Sequence, residues 1–130
     1  SRMTLRWGFM GTGWIARTVA ADFRLAELQI AAVGSSDETR AQAFAHEFGI
    51  ATAHGSYAAV AADPDVDIVY VTLLNQAHLD GALLAIAQGK HVLVEKPMTD
   101  DTAQAATLVD LARARGCVLS MCSASACSAA

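Results

Sequence analysis

Two groups of residues in this 130-residue chain have the types and spacing to do chemistry. The first is Gly11-x-Gly13-x-x-Ala16 in GFMGTGWIA, which follows a short apolar run and opens a segment with helical spacing. Glycine at the first position allows a tight turn, and glycine at the second leaves the backbone bare for an anion. A small third residue lets helix and strand pack closely, so the free N–H groups of the helix start face the anion. The ligand such a loop holds is the pyrophosphate of a dinucleotide. A tight turn explains Gly11 but not the trio. The second group closes GKHVLVEKPMT, Gly89 to Thr99, where an apolar run ends in Glu95, Lys96 and Pro97. Such charges mark either a strand reaching water or the carboxyl edge of a parallel sheet, where ligands bind. Pro97 biases Lys96 toward extended backbone, aiming its side chain out of the strand.

Dinucleotide binding makes a further demand about 20 residues past the glycines, where an acid ending the second strand grips the ribose 2′-hydroxyl of NAD. Gly34, Ser35 and Ser36 stand there instead, and the first acid, Asp37, lies beyond the strand. No carboxylate ends the strand itself, where it would repel a 2′-phosphate. Ser35 and Ser36 can donate hydrogen bonds, and Arg40 lies one helical turn away. The pattern favours NADP over NAD and leaves NAD open. Arg40 also reads, almost as well, as a solvated charge on a helix face.

These residues need strands to carry them, and the chain alternates strand with helix. LRWGFMG (Leu5–Gly11) reads as a strand, WIARTVAADFRL as a helix and LQIAAVGSS (Leu28–Ser36) as a second strand. DETRAQAFAHEFG is a helix with Asp37 as N-cap and Gly49 as its stop. IATAHGS is a short strand, and YAAVAADP a short helix closed by Pro64. VDIVYVTLL (Val66–Leu74) is continuously apolar enough to be a strand covered on both faces. The helix AHLDGALLAIAQG, the strand HVLVE, the helix TDDTAQAATLVDLARARG and a strand near CVLSM complete the series. Six strands joined by helices predict a doubly wound parallel sheet of the Rossmann type, an α/β fold. It occupies residues 3–121 as one domain. Residues 122–130, ending in SASACSAA, are expected to be a disordered tail because small residues bury too little area. Ser1 and Arg2, before Met3, are left out of the fold.

Composition narrows the partners. With 54% apolar and 17% charged residues the chain is globular. A net charge of −4 without a basic cluster argues against nucleic acid and anionic membranes. No apolar run approaches the roughly 20 residues of a membrane span. Gly8, Gly11 and Gly13 interrupt any signal-peptide core, so a cytoplasmic protein is expected. Cys117, Cys122 and Cys127, evenly spaced, fit no common zinc pattern and read as free thiols; no metal site is expected.

Taken in order, GFMGTGWIA, SYAAVAADPDVDIVYV, NQAH and GKHVLVEKP resemble the glucose-fructose oxidoreductase / inositol dehydrogenase / MocA family over roughly Leu5 to Leu119. The branch they look most like holds dimeric dihydrodiol dehydrogenases and NADP-dependent xylose dehydrogenases. The resemblance implies an NAD(P)-dependent oxidoreductase moving hydride between nicotinamide and a secondary alcohol of a sugar, cyclitol or dihydrodiol. It implies that Lys96 reaches the reacting centre, with Glu95 positioning and Pro97 fixing the backbone. Its cofactor set would be Gly11, Thr12, Gly13, Trp14, Ile15, Ser35, Ser36, Arg40, Leu73, Asn75, His78, Glu95, Lys96 and Pro97. His78 reads equally as a helix-start residue satisfied by backbone. Leu74 departs from the proline of many relatives. His46, His54 and His91 lack a constellation and are read as structural.

Family members continue into a second α/β domain that covers the nicotinamide, supplies an aspartate and a histidine, and pairs subunits. This chain, ending at Ala130, is therefore expected to bind cofactor without turning over substrate by itself. Two other readings stay open: a dinucleotide-binding module without catalysis, and a flavin or phosphate-binding protein, which leaves VEKP unexplained.

Overall fold

The computed structural model describes residues 5–95 and 102–122. Strands β1 (Trp7–Met10), β2 (Ile30–Gly34), β3 (Thr52–His54), β4 (Ile68–Val71), β5 (His91–Glu95) and β6 (Leu119–Cys122) alternate with helices. These are α1 (Trp14–Leu25), α2 (Glu38–Phe48), α3 (Tyr57–Ala62), α4 (Asn75–Ala87) and α5 (Thr102–Ala114). All strand pairs are parallel, in the order β3-β2-β1-β4-β5-β6. This is the doubly wound order, and it reverses between β1 and β4. The predicted α/β class holds.

Period-two alternation along the strands builds two cores. Phe9, Val33 and Tyr70 face α1 and α2, where they meet Val19, Ala20, Phe23 and Phe44. Their neighbours Met10, Ala32, Val69 and Val71 face the other way, toward Val60 of α3, Ala85 and Ile86 of α4 and Leu108 of α5. A strand hydrophobic on both faces is what this layering requires. Phe9 packs edge-on against both Phe23 and Tyr70, at 5.4 and 5.2 Å between centroids.

Element ends differ from expectation where polar groups take over. β1 starts at Trp7 because Arg6 turns to Asp67, with its backbone N–H at 2.8 Å and its guanidinium at 3.1 Å. α4 starts at Asn75, two residues earlier than AHLDGALLAIAQG predicts. Cys122 belongs to β6, so the strand crosses the boundary drawn at residue 121. The expected tail, from 123 on, lies outside the described residues. Among those described, no helix is long and apolar enough to cross a membrane.

The C-termini of α1, α2, α4 and α5 share one closure, an N–H reaching back five residues. The pairs are Leu28 to Phe23, Ile50 to Ala45, Lys90 to Ala85 and Cys117 to Ala112, at 2.8–3.0 Å. Such a closure places one residue in the left-handed region. Three helices use Gly49, Gly89 and Gly116 there; α1 uses Glu27, at φ 59°. Relief of left-handed strain, less the extra entropy of a glycine, leaves a net gain. Glu27→Gly should therefore raise the unfolding free energy by roughly 0.5–1 kcal/mol. A urea midpoint that falls would contradict this.

Candidate functional site

The carboxyl ends of β1, β2 and β4 meet at Gly11. Its φ is +111°, and an added Cβ would lie 2.3 Å from Thr72 Oγ1. The Gly11 N–H donates to the Gly34 carbonyl at 2.9 Å. Thr72 follows β4 and donates twice to the Met10 carbonyl, from its hydroxyl at 2.9 Å and its N–H at 3.0 Å. Thr72 thus fixes the glycine turn from the far side. The sequence reading missed it, because a threonine after an apolar strand carries no distinctive spacing.

Gly13 behaves differently. It is the N-cap of α1, in ordinary extended backbone, and no side chain caps the helix. Among the described residues, an added Cβ there meets nothing within 4 Å. Protein packing therefore does not demand a glycine; the space in front of the helix start does. Uncapped N–H groups opening onto free space fit a bound pyrophosphate. Ala16, fully buried, lets α1 lie close on the sheet. Thr12 and Ile15 are half-buried, and Trp14 stands 71% exposed at the rim.

At the end of β2 the two serines diverge. Ser35 is buried; its N–H donates to the His54 carbonyl at 3.2 Å, and its hydroxyl oxygen accepts from the Asp37 N–H at 3.1 Å. Ser36 is exposed, and so is Arg40. Asp37 caps α2 as expected, accepting from the N–H groups of Thr39 and Arg40 at 2.9 and 3.3 Å. Its other oxygen lies 3.7 Å from Arg40 Nε. Of the three residues expected to meet a 2′-phosphate, Ser36 and Arg40 face solvent, and Ser35 holds the turn beneath them.

Beyond β4, Leu73 is buried beside Gly11 and Gly81. Leu74, 70% exposed, precedes α4 without capping it. Asn75 opens that helix. His78 lies on the buried stripe of α4 with Gly81, Ala82, Ala85 and Ile86. It is 1% exposed, and among the described residues its Nε2 has no hydrogen-bond partner. No backbone group of the described residues meets that nitrogen. Burial holds its pKa below the usual 6.5, so the ring is neutral at pH 7. Buried polar atoms without partners are uncommon, and this one sits in the first turn of the helix after β4. By contrast, His54 Nε2 meets Asp63 at 2.9 Å, and His91 Nδ1 accepts from the Val118 N–H at 3.0 Å. Those two are structural, as read; His46 is exposed on α2.

Glu95 ends β5 one residue past Val94, which is in register with Val71 of β4. Lys96 and Pro97 lie outside the described residues. A groove of about 710 Å³ near Phe23, Arg24, Phe48 and Thr52 sits at the opposite, amino edge and has no part in this site.

A glycine turn at the reversal of a doubly wound sheet, opening onto an uncapped helix start, defines a dinucleotide-binding domain. The GFO/IDH/MocA model, described as an oxidoreductase family with an NAD-binding Rossmann fold, matches residues 5–123, and the chain belongs to that family. It is 40% identical over 120 residues to mouse (Mus musculus) trans-1,2-dihydrobenzene-1,2-diol dehydrogenase, covering 90% of this chain and 36% of that protein. It is likewise 40% identical over 116 residues to D-xylose 1-dehydrogenase (NADP(+)) 2 of Haloferax volcanii, covering 88% and 36%. A 3-ketoreductase from Actinomadura kijaniata, solved with TDP-benzene and NADP, superposes with a TM-score of 0.83 at 35% identity, covering 90% and 37%. The chain thus spans about a third of the length of these relatives.

Two outcomes follow from this geometry. Gly13→Val should leave the thermal midpoint within a few degrees, since no protein atom stands in its way, yet abolish binding of NADPH and NADH. Wild-type affinity in that variant would place the cofactor elsewhere. His78 binds its proton more weakly folded than unfolded, so stability is full above pH 6.5 and declines as pH falls through that value. His78→Leu should flatten the loss of urea midpoint between about pH 7 and 5. An unchanged slope would show that His78 does not stay neutral.

Proposed function

We propose that this chain is the cofactor-holding domain of an NADP-preferring dehydrogenase acting on a secondary alcohol of a sugar, cyclitol or dihydrodiol. The observation that carries this is Gly13: the protein leaves open space before an uncapped helix, at the sheet's reversal, that its own packing does not require. The substrate class rests on the dihydrodiol and xylose dehydrogenases it resembles.

A nicotinamide dinucleotide, when bound, supplies the hydride acceptor. The chain's own residues have separate tasks. The α1 N–H groups and the glycine turn hold the pyrophosphate, with Thr12, Trp14 and Ile15 around it. Ser36 and Arg40 receive the 2′-phosphate from the solvent side, while buried Ser35 braces their loop. Leu73, Asn75 and His78, after β4, shape the nicotinamide side, where the neutral His78 offers an imidazole nitrogen without carrying charge. Lys96, one residue past β5, is assigned to hold and share the alcohol proton, with Glu95 and Pro97 setting its direction. The dehydrogenase relatives favour this over a non-catalytic module. We place the protein in the cytoplasm, whose reducing conditions keep thiols such as Cys117 free.

The test has two arms. Fluorescence titration of the chain should show tighter binding of NADPH than NADH; a tenfold preference for NADH would sink the cofactor assignment. In the protein that carries this domain, Lys96→Ala should lower kcat by about 10²–10⁴ while NADPH affinity moves less than threefold. A fall in affinity equal to the fall in turnover would make Lys96 a cofactor anchor instead.

A further inference from the structure

One carboxylate stands beside the strand end assigned to the 2′-phosphate, and one of its two oxygens is already engaged. The Gly34 carbonyl accepts from the Gly11 N–H, so the end of β2 and the glycine turn are one structure. Asp37 lies three residues past Gly34. Its Oδ1 accepts from two N–H groups of α2, and its Oδ2 faces Arg40 Nε at 3.7 Å. Turning this carboxylate onto a ribose diol would uncap the helix. The neighbouring acid, Glu38, leans over Gly55 and accepts from Gln42 Nε2 at 3.1 Å.

We propose that Asp37 is a specificity-determining residue of the cofactor site, whose charge beside Arg40 limits the preference for a 2′-phosphate. The inference rests on the dinucleotide reading above. A 2′-phosphate held by Ser36 and Arg40 brings close to two negative charges within a Debye length of Asp37. The Asp37 side chain is 48% exposed and that of Arg40 71% exposed, so their mutual attraction is weak and does little to pre-position the guanidinium. Repulsion between carboxylate and phosphate acts whether or not that pair is formed. NADH, with a hydroxyl in place of the phosphate, does not feel it.

Asp37→Asn separates the two roles, because asparagine caps a helix as well as aspartate does and carries no charge. Asp37→Ser, a second good cap, guards against a defect peculiar to the amide. In fluorescence titrations, both variants should bind NADPH about three- to tenfold tighter than wild type, with NADH changed less than twofold. The gain should shrink as salt rises from about 0.05 to 0.5 M, and the thermal midpoint should stay within a few degrees. Unchanged or weaker NADPH binding, or equal changes for both cofactors, overturns the proposal while the dinucleotide reading stands. A wild-type chain that binds neither cofactor overturns both.

Discussion

The absence of a side chain at Gly11 is the constraint on which the rest of the structure depends. A methyl group there would overlap the Thr72 hydroxyl at 2.3 Å, on backbone already in the left-handed region. With hydrogen in its place, Thr72 can approach and close both its donors onto the Met10 carbonyl. The Gly11 N–H is then free to reach Gly34 on the opposite neighbour. The end of β1 is thereby tied on both sides, to β2 and to β4, where the sheet changes direction. α1 leaves from that fixed point, so its first N–H groups have a defined aim.

Glycines and histidines in this chain separate into those the protein needs and those it does not. Gly11 is excluded from bearing a side chain by Thr72, and Gly34 by Val60 and the Ser56 carbonyl, at 2.3 and 2.9 Å. Both are required by this chain's own packing. Gly13 has no such neighbour, and its meaning lies in what is meant to approach it. The histidines divide the same way. His54 and His91 are accounted for by Asp63 and Val118, whereas His78 is buried with a ring nitrogen left over. An unmet hydrogen bond inside a protein has a cost, and the proposed function gives this nitrogen a place on the nicotinamide side.

Much of this was legible in the sequence because the signals were local. The glycine trio, the Asp37 cap, the Gly49 stop and the apolar strands each follow from a few adjacent residues, and the structure realises all of them. What was not legible depended on three-dimensional neighbours. Ser35 and Ser36 are indistinguishable in the sequence, yet one is buried by the turn it makes with Asp37 and the other is not. His78 reads in the sequence as a helix-start residue, and only the packing of α4 reveals that it falls on the inner stripe. Thr72 gains its role entirely from Gly11, sixty-one positions away in the chain.

Strand order also explains why the candidate residues come from such separate parts of the chain. Read across the carboxyl edge, β2, β1, β4 and β5 are consecutive, although they are drawn from residues 7 to 95 in a different sequence order. Neighbouring strands are about 4.8 Å apart, so three steps from β2 to β5 cover roughly 14 Å. In the proposed function a dinucleotide lies along this line, with phosphate discrimination at β2, pyrophosphate at β1 and the nicotinamide side at β4 and β5. In that reading Lys96, next in the chain after β5, is assigned to the half of the edge away from the adenine end, together with the residues after β4. The same Glu-Lys-Pro after β3, at the opposite side of the sheet, would face no nicotinamide. The chemistry that the proposed function assigns to VEKP therefore comes from the position of its strand in the sheet as much as from the residues themselves.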